Sequence, residues 1–147
     1  MLVSEDCLFC KIGRGSVPAA MVYEDDQVIA FLDIRPLFPG HVLLCPRGHY
    51  STFTDVPFDL VGPLFLKGQL LTRAVETALE AEGTFLAINN RVSQAVPHLH
   101  LHIVPRRRRD GLKGFFWPRH SYESEQAMEA VRSAIEREMG RLMRTAG

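Results

Sequence analysis

The stretch VPHLHLHIVPRRRR (residues 96–109) carries His98, His100 and His102 at strict two-residue spacing, half of the chain's six histidines. Side chains along a β-strand alternate between its faces, so in a strand all three imidazoles point one way, successive ones roughly 7 Å apart. A helix would scatter the same three residues around its circumference. Val96, Leu99, Leu101, Ile103 and Val104 suit a strand, and the aliphatic residues between the histidines suit a core on the opposite face. The spacing predicts a strand over 97–105 whose imidazoles form one wall of a small polar site.

Other elements fall into place around it. Residues 7–14 read as a short helix ending near Gly13 or Gly15. MVYEDD (21–26) and QVIAFLDI (27–34) read as a hairpin with the acidic pair at its turn. Pro36, Pro39 and Gly40 mark a loop before a buried strand over 41–46. Leu60, Leu64, Leu71, Val75 and Leu79 follow helical spacing, which predicts a long helix over 59–82, with Pro63 in its first turn and Gly83 ending it. A strand over 84–90 follows. Beyond a loop rich in glycine and aromatics (110–121), Met128, Val131, Ile135 and Leu142 mark one face of a final helix. The order predicts an α+β fold: a mostly antiparallel sheet, one long helix, a short N-terminal helix and a C-terminal helix. Its length suits a single domain over 1–147, with 110–147 as a loop-plus-helix extension.

Charge narrows the function classes. Lys+Arg and Asp+Glu balance at 17 each, so no overall field draws the chain to nucleic acid or to a membrane surface. The run Arg106–Arg109 reads as a solvated strand end that can still attract an anionic substrate. No apolar stretch approaches the ~20 residues of a membrane span, and the amino terminus lacks a signal-peptide pattern. The expectation is a cytoplasmic protein that makes no use of a membrane. Three cysteines do not make a disulfide framework: Cys45 sits in an apolar run as a core residue, and Cys7 and Cys10 form a C-x-x-C pair. That pair fits half of a metal site, a redox motif or chance. Metal ranks above redox because no thioredoxin-like strand–helix pattern follows.

HLHLHIV (98–104) resembles the signature of the histidine triad (HIT) family. Supporting blocks extend over nearly the whole chain: CLFCKI at 7–12, YEDDQVIAFLDIRPLFPGHVLLCPRGHY at 23–50 and NNRVSQAVPHLHLHIVPR at 89–106. The resemblance implies a homodimer whose sheets join across the interface through the long helix 59–82 and the strand 84–90. It also implies hydrolysis or transfer at the α-phosphate of a purine nucleotide derivative. The bond broken is a phosphoanhydride, as in a dinucleoside polyphosphate, or a phosphoramidate. His100 matches the nucleophile that forms a nucleotidyl-histidine, His102 a phosphate contact, and His41 a supporting position near the nucleophile. An imidazole nitrogen can attack phosphorus while the other nitrogen donates to a carbonyl that fixes the tautomer. Gln94 matches the glutamine that binds phosphate or the bridging oxygen, and Asn89 or Asn90 should approach the sugar or α-phosphate.

Asp33 resembles the acid that accepts from both ribose hydroxyls, a task that suits a carboxylate. Phe9, Val17, Leu32 and Ile34 match the apolar positions around the base. Cys7, Cys10, His49 and His98 match the places where bacterial relatives hold a structural zinc, and two thiolates with two imidazoles fit a closed tetrahedral site. Two departures stand out. The family often has glycine before the glutamine and Ser or Thr after it, whereas this chain has Ser93 and Ala95, in a loop about two residues shorter. The hydroxyl that would help the leaving group is therefore missing, which supports a rival reading as a nucleotide-binding regulatory protein with little turnover; His100, His102 and Gln94 speak against it. A DNA-end repair enzyme would need a nucleic-acid-binding element, and the sequence after 110 offers none. Phe115, Phe116 and Trp117 in GFFWPR (114–119) are expected to shape the far side of the pocket, to cover the partner subunit, or to pack under the last helix.

Overall fold

The computed structural model describes residues 1–112 and 119–145. The alternation seen in the histidine stretch runs through a five-stranded sheet: β1 (Met21–Glu24), β2 (Val28–Leu32), β3 (Val42–Pro46), β4 (Gly83–Ala87) and β5 (Leu101–Arg106). Every neighbouring pair is antiparallel, and the spatial order is β1-β2-β3-β5-β4. With α1 (Leu8–Gly13), α2 (Phe58–Leu79) and α3 (Glu125–Thr145), the fold is α+β as the sequence predicts.

The two faces of the sheet have separate jobs. Val28, Ala30, Val42, Leu44, Leu101 and Ile103 point to one face and pack with Leu64 and Val75 of α2. Several of these side chains are fully buried, each contributing about 1.5–3 kcal/mol. Ile29, Phe31, Leu43 and Cys45 point to the other face, where they meet Cys7, Phe9 and Cys10 of the α1 region. Burial pushes the Cys45 thiol well above its ordinary range, so it stays an inert core residue. Leu99 also belongs to the α2 side, so the intervening histidines fall on the α1 side. Gly68 of α2 lies where an added Cβ would stand 3.0 Å from Leu101, so the helix approaches β5 closely.

Several boundaries differ from the sequence reading. The strand expected over 97–105 forms its ladder only from Leu101, because His98 N–H turns back to the Val96 carbonyl (2.8 Å) and Leu99 N–H reaches the Tyr50 carbonyl (2.7 Å). The strand expected over 84–90 stops at Ala87. The long helix ends at Leu79, not at Gly83. Glu80 takes the left-handed conformation (φ 50°) that closes it, and Gly83 opens β4. Pro63 is the sixth residue of the helix rather than part of its first turn, so its ring nitrogen gives no hydrogen to the Asp59 carbonyl.

The chain divides into two compact units, Met1–Asp110 and Gly111–Gly147. In the second, Ser124 caps α3 by accepting the Ala127 N–H on its hydroxyl (3.0 Å), and Arg132 pairs with Glu129 and Glu136 along the helix. Phe115, Phe116 and Trp117 lie outside the described residues. Among those described, no helix is long and apolar enough to cross a membrane.

Candidate active site

A cleft of about 380 Å³ opens on the α1 side of the sheet. Phe9, Val17, Leu32, Asp33, Ile34, His100 and His102 all line it, so the structure brings together seven residues the sequence marked. Phe9 stands edge-on to His100, with ring centroids 5.1 Å apart, and His100 lies 4.8 Å from the His102 ring. Ile34 is 90% exposed at the mouth, so it offers a free apolar surface.

Backbone partners fix the state of each imidazole. His100 Nδ1 lies 2.7 Å from the His98 carbonyl, which can only accept, so Nδ1 carries the proton and Nε2 keeps its lone pair. Leu37 N–H donates to His41 Nδ1 (3.1 Å), so the proton of neutral His41 is on Nε2, which lies 2.9 Å from His102 Nδ1. His102 therefore accepts on Nδ1 and offers Nε2–H as a donor. The Asp33 carboxylate, 3.9 Å from His41 Nδ1, is too distant to displace the Leu37 N–H. Burial, with like-charge repulsion from His100 and His41, lowers His102 to about 4 despite an upward pull from Asp33. Burial also lowers His41, partly offset by Asp33. Both rings are neutral near pH 7.

The remaining sequence candidates lie away from the cleft lining. Gln94 donates from its amide to the Ser51 carbonyl (2.6 Å) and accepts the Arg91 N–H (2.8 Å), so it braces its own loop. Asn90 accepts the Phe53 N–H (2.9 Å), and Asn89 is not among the lining residues. His41 reaches the site through His102. Ala95 does line the cleft, with a methyl group.

Behind the histidine row, Cys7, Cys10, His49 and His98 bring one donor atom each to within 4.8 Å of one another. His98 donates Nε2–H to the Pro46 carbonyl (2.8 Å), which leaves the Nδ1 lone pair facing Cys7 Sγ (3.4 Å) and Cys10 Sγ (3.6 Å). His49 Nδ1 lies 3.5 Å from Cys10 Sγ. Sulfur and nitrogen ligands around one tetrahedral zinc stand roughly 3.5 Å apart. The donor set therefore fits such an ion, and the carbonyl bond to Nε2 is the usual means of aiming a ligating imidazole.

The HIT domain family pattern matches residues 14–109. The chain belongs to the HIT domain family. It is similar to adenylylsulfatase HINT3 of Arabidopsis thaliana, with 34% identity over 93% of this chain and 71% of that protein. A crystal structure of a HIT family member from Bacillus subtilis superposes with a TM-score of 0.83 and 34% identity, covering 90% of this chain and 96% of that one. A zinc-bound histidine triad family protein from Mycobacterium smegmatis superposes with a TM-score of 0.69 and 36% identity, covering 92% and 97%.

Sequence reasoning missed parts of this HIT site. Arg35 lines the cleft, and its backbone N–H donates to Asp33 Oδ1 (2.9 Å). Leu43 also lines it and stands opposite His102 in the ladder; strand alternation from Cys45 would have found it. The Leu37 N–H, in a loop, and the Pro46 carbonyl, at the end of β3, set two tautomers and carry no side-chain signal.

Proposed function

We propose that this HIT protein is a hydrolase or transferase acting at the α-phosphate of a purine nucleotide derivative through a nucleotidyl-histidine on His100. The observation that carries the reading is the bond from His100 Nδ1–H to the His98 carbonyl, in a cleft otherwise suited to a nucleoside. The Nε2 lone pair attacks phosphorus and the leaving group departs with its bonding electrons. The imidazolium keeps its Nδ1–H on the carbonyl. Water then attacks the same phosphorus, the P–N bond breaks, imidazole leaves neutral, and the water's proton passes to solvent. His102 Nε2–H donates to the phosphate oxygens throughout. Phe9, Val17, Leu32 and Ile34 hold the base, and Asp33 accepts from the ribose hydroxyls. Phosphate contacts by Gln94 and by Asn89 or Asn90 require the Gln94 and Asn90 amides to exchange their loop partners for substrate.

Cys7, Cys10, His49 and His98 hold one structural zinc per chain in this reading, supported by the donor spacing and by the zinc-bound relative. Three free cysteines suit a reducing cytoplasm. The family match ends at 109, next to the unit boundary at Asp110, which supports 110–147 as an extension of a single HIT domain. The protein works as a homodimer.

His100→Ala is expected to abolish turnover while nucleotide binding persists, and free imidazole should restore part of the activity of His100→Gly. Acid-labile, base-stable labelling should fall on His100. A label on His102, or full activity in His100→Ala, overturns the reading.

A further inference from the structure

We propose that this cleft releases only leaving groups that depart as stable anions. Its substrates are then mixed anhydrides of a nucleotide with sulfuric or phosphoric acid, and phosphoramidates of amines are poor ones. The proposal rests on the nucleotidyl-histidine reading above and decides between the two bond types which that reading leaves open.

It comes from what the cleft lacks. Among the described residues, the lining side chains are apolar except for Asp33, Arg35, His100 and His102. No Ser, Thr, Tyr, Cys or Lys is among them, and Ala95 places a methyl group in the loop just before the histidine row. None of the four polar groups is arranged to hand over a proton. Asp33 is used as an acceptor, taking the Arg35 N–H on Oδ1. A guanidinium does not deprotonate in this chemistry. The His100 Nδ1 proton is committed to the His98 carbonyl while Nε2 bonds to phosphorus. His102 accepts from His41 on Nδ1, so it offers only the N–H of a neutral imidazole, which can hydrogen-bond to an oxygen but is not an acid.

The two bond types differ in what they ask of such a site. When a P–O anhydride bond breaks, the electron pair goes to a sulfate or phosphate oxygen, which is stable without a proton. When a P–N bond breaks, the nitrogen must have taken up a proton before or during the step, or leave as a high-energy amide anion. Arg35, the one permanent cation among the described lining residues, adds charge suited to a departing anion.

The test compares substrates with one nucleoside and different leaving groups, using the full chain. The panel is adenosine 5′-phosphosulfate, diadenosine tetraphosphate, an alkylamine phosphoramidate of AMP, and AMP aryl esters with phenols of graded acidity. General acid help is commonly worth about 10²–10⁴-fold. kcat/KM for an anhydride should therefore exceed that for the phosphoramidate by about that factor, and the aryl-ester rates should fall steeply as the phenol becomes less acidic. Ala95→Ser should raise the phosphoramidate-to-anhydride ratio about tenfold or more and flatten that dependence. Faster release of sulfate or of ATP separates the two anhydrides, and either supports the proposal. A phosphoramidate rate equal to the anhydride rate, or a flat aryl-ester series, overturns this proposal and leaves the His100 reading standing. No release from any member, with no label on His100, overturns both.

Discussion

His98 joins the two halves of the site through three bonds of one residue. Its Nδ1 faces the two thiols, its Nε2–H holds the Pro46 carbonyl, and its own carbonyl orders the His100 tautomer. The row of three histidines was legible because alternation is a property of the chain itself. Their protonation was not, because it depends on a loop N–H at Leu37 and a strand-end carbonyl at Pro46, brought close only by folding. Ser93 shows the same limit. It stands where the family often has glycine, and the structure holds it at φ 60°, so the unusual backbone is retained without the residue that signals it. At this scale the half-buried His102 makes stability depend on pH. Its value of about 4 lies below the ordinary ~6.5, so between those limits the unfolded chain holds a proton that the folded chain does not. Its contribution is whole above pH ~6.5 and is lost as the pH falls toward 4. After discounting for its partial exposure, about 1–2 kcal/mol should separate pH 7 from pH 5 through this residue. Urea unfolding at the two pH values should show that loss in the parent and a smaller one in His102→Asn; equal losses would contradict it.

Among elements, the Cys7, Cys10, His49 and His98 cluster brings α1 against the ends of β3 and β5, two strands that the sheet already pairs. α1, the loop after β3 and the approach to β5 each supply ligands, while Arg47 adds a second tie from the β3 end to the Gly13 carbonyl (2.6 Å) and to Glu24 (2.6 Å). The antiparallel sheet followed from strand alternation and a hairpin signal, and the long helix from its apolar spacing, whereas the spatial strand order came only from the structure. Their ends did not follow: the sequence assigned the helix stop to Gly83, but Glu80 adopts the left-handed turn and Gly83 serves the strand. α1 is only 6 residues long, too short to be stable alone, so its position depends on side-chain anchoring. Zinc binding by folded ligands adds directly to folding stability. Cys10→Ser should lower metal content from one zinc per chain toward none and reduce stability by about 3–5 kcal/mol. Metal analysis after purification without chelators, alongside denaturant unfolding, checks both. A parent protein free of zinc would overturn the assignment, as would turnover lost on chelation while the fold stays intact, which would make the metal catalytic.

For the whole molecule, the two sheet edges are not equivalent. Beside β1, Glu24 pairs with Arg47 and Asp25 pairs with Lys67, and inward or flanking charge of this kind discourages pairing of an edge with another chain. On the β4 side the exposed Glu82–Arg108 pair flanks only the start of the strand, while Leu86 is exposed on β4 itself and Phe65, Leu66 and Leu70 are exposed on α2. Between them a groove of about 370 Å³ is lined by Phe65, Gly68, Gln69, Thr72, Arg73, Leu86 and Leu101. An open strand beside an apolar helix face is an unfinished surface that a second copy of the same pair can complete by symmetry, extending the sheet from one protomer to the next. The proposed dimer therefore uses α2 and β4, the elements the sequence resemblance pointed to. Sedimentation equilibrium at micromolar concentration should give twice the chain mass. Leu86→Asp, which places a charge on that edge, should shift the population toward monomer and make thermal stability less dependent on protein concentration. A strict monomer in the parent protein, or a dimer unaffected by both Leu86→Asp and Leu70→Glu, would place the contact elsewhere or remove it.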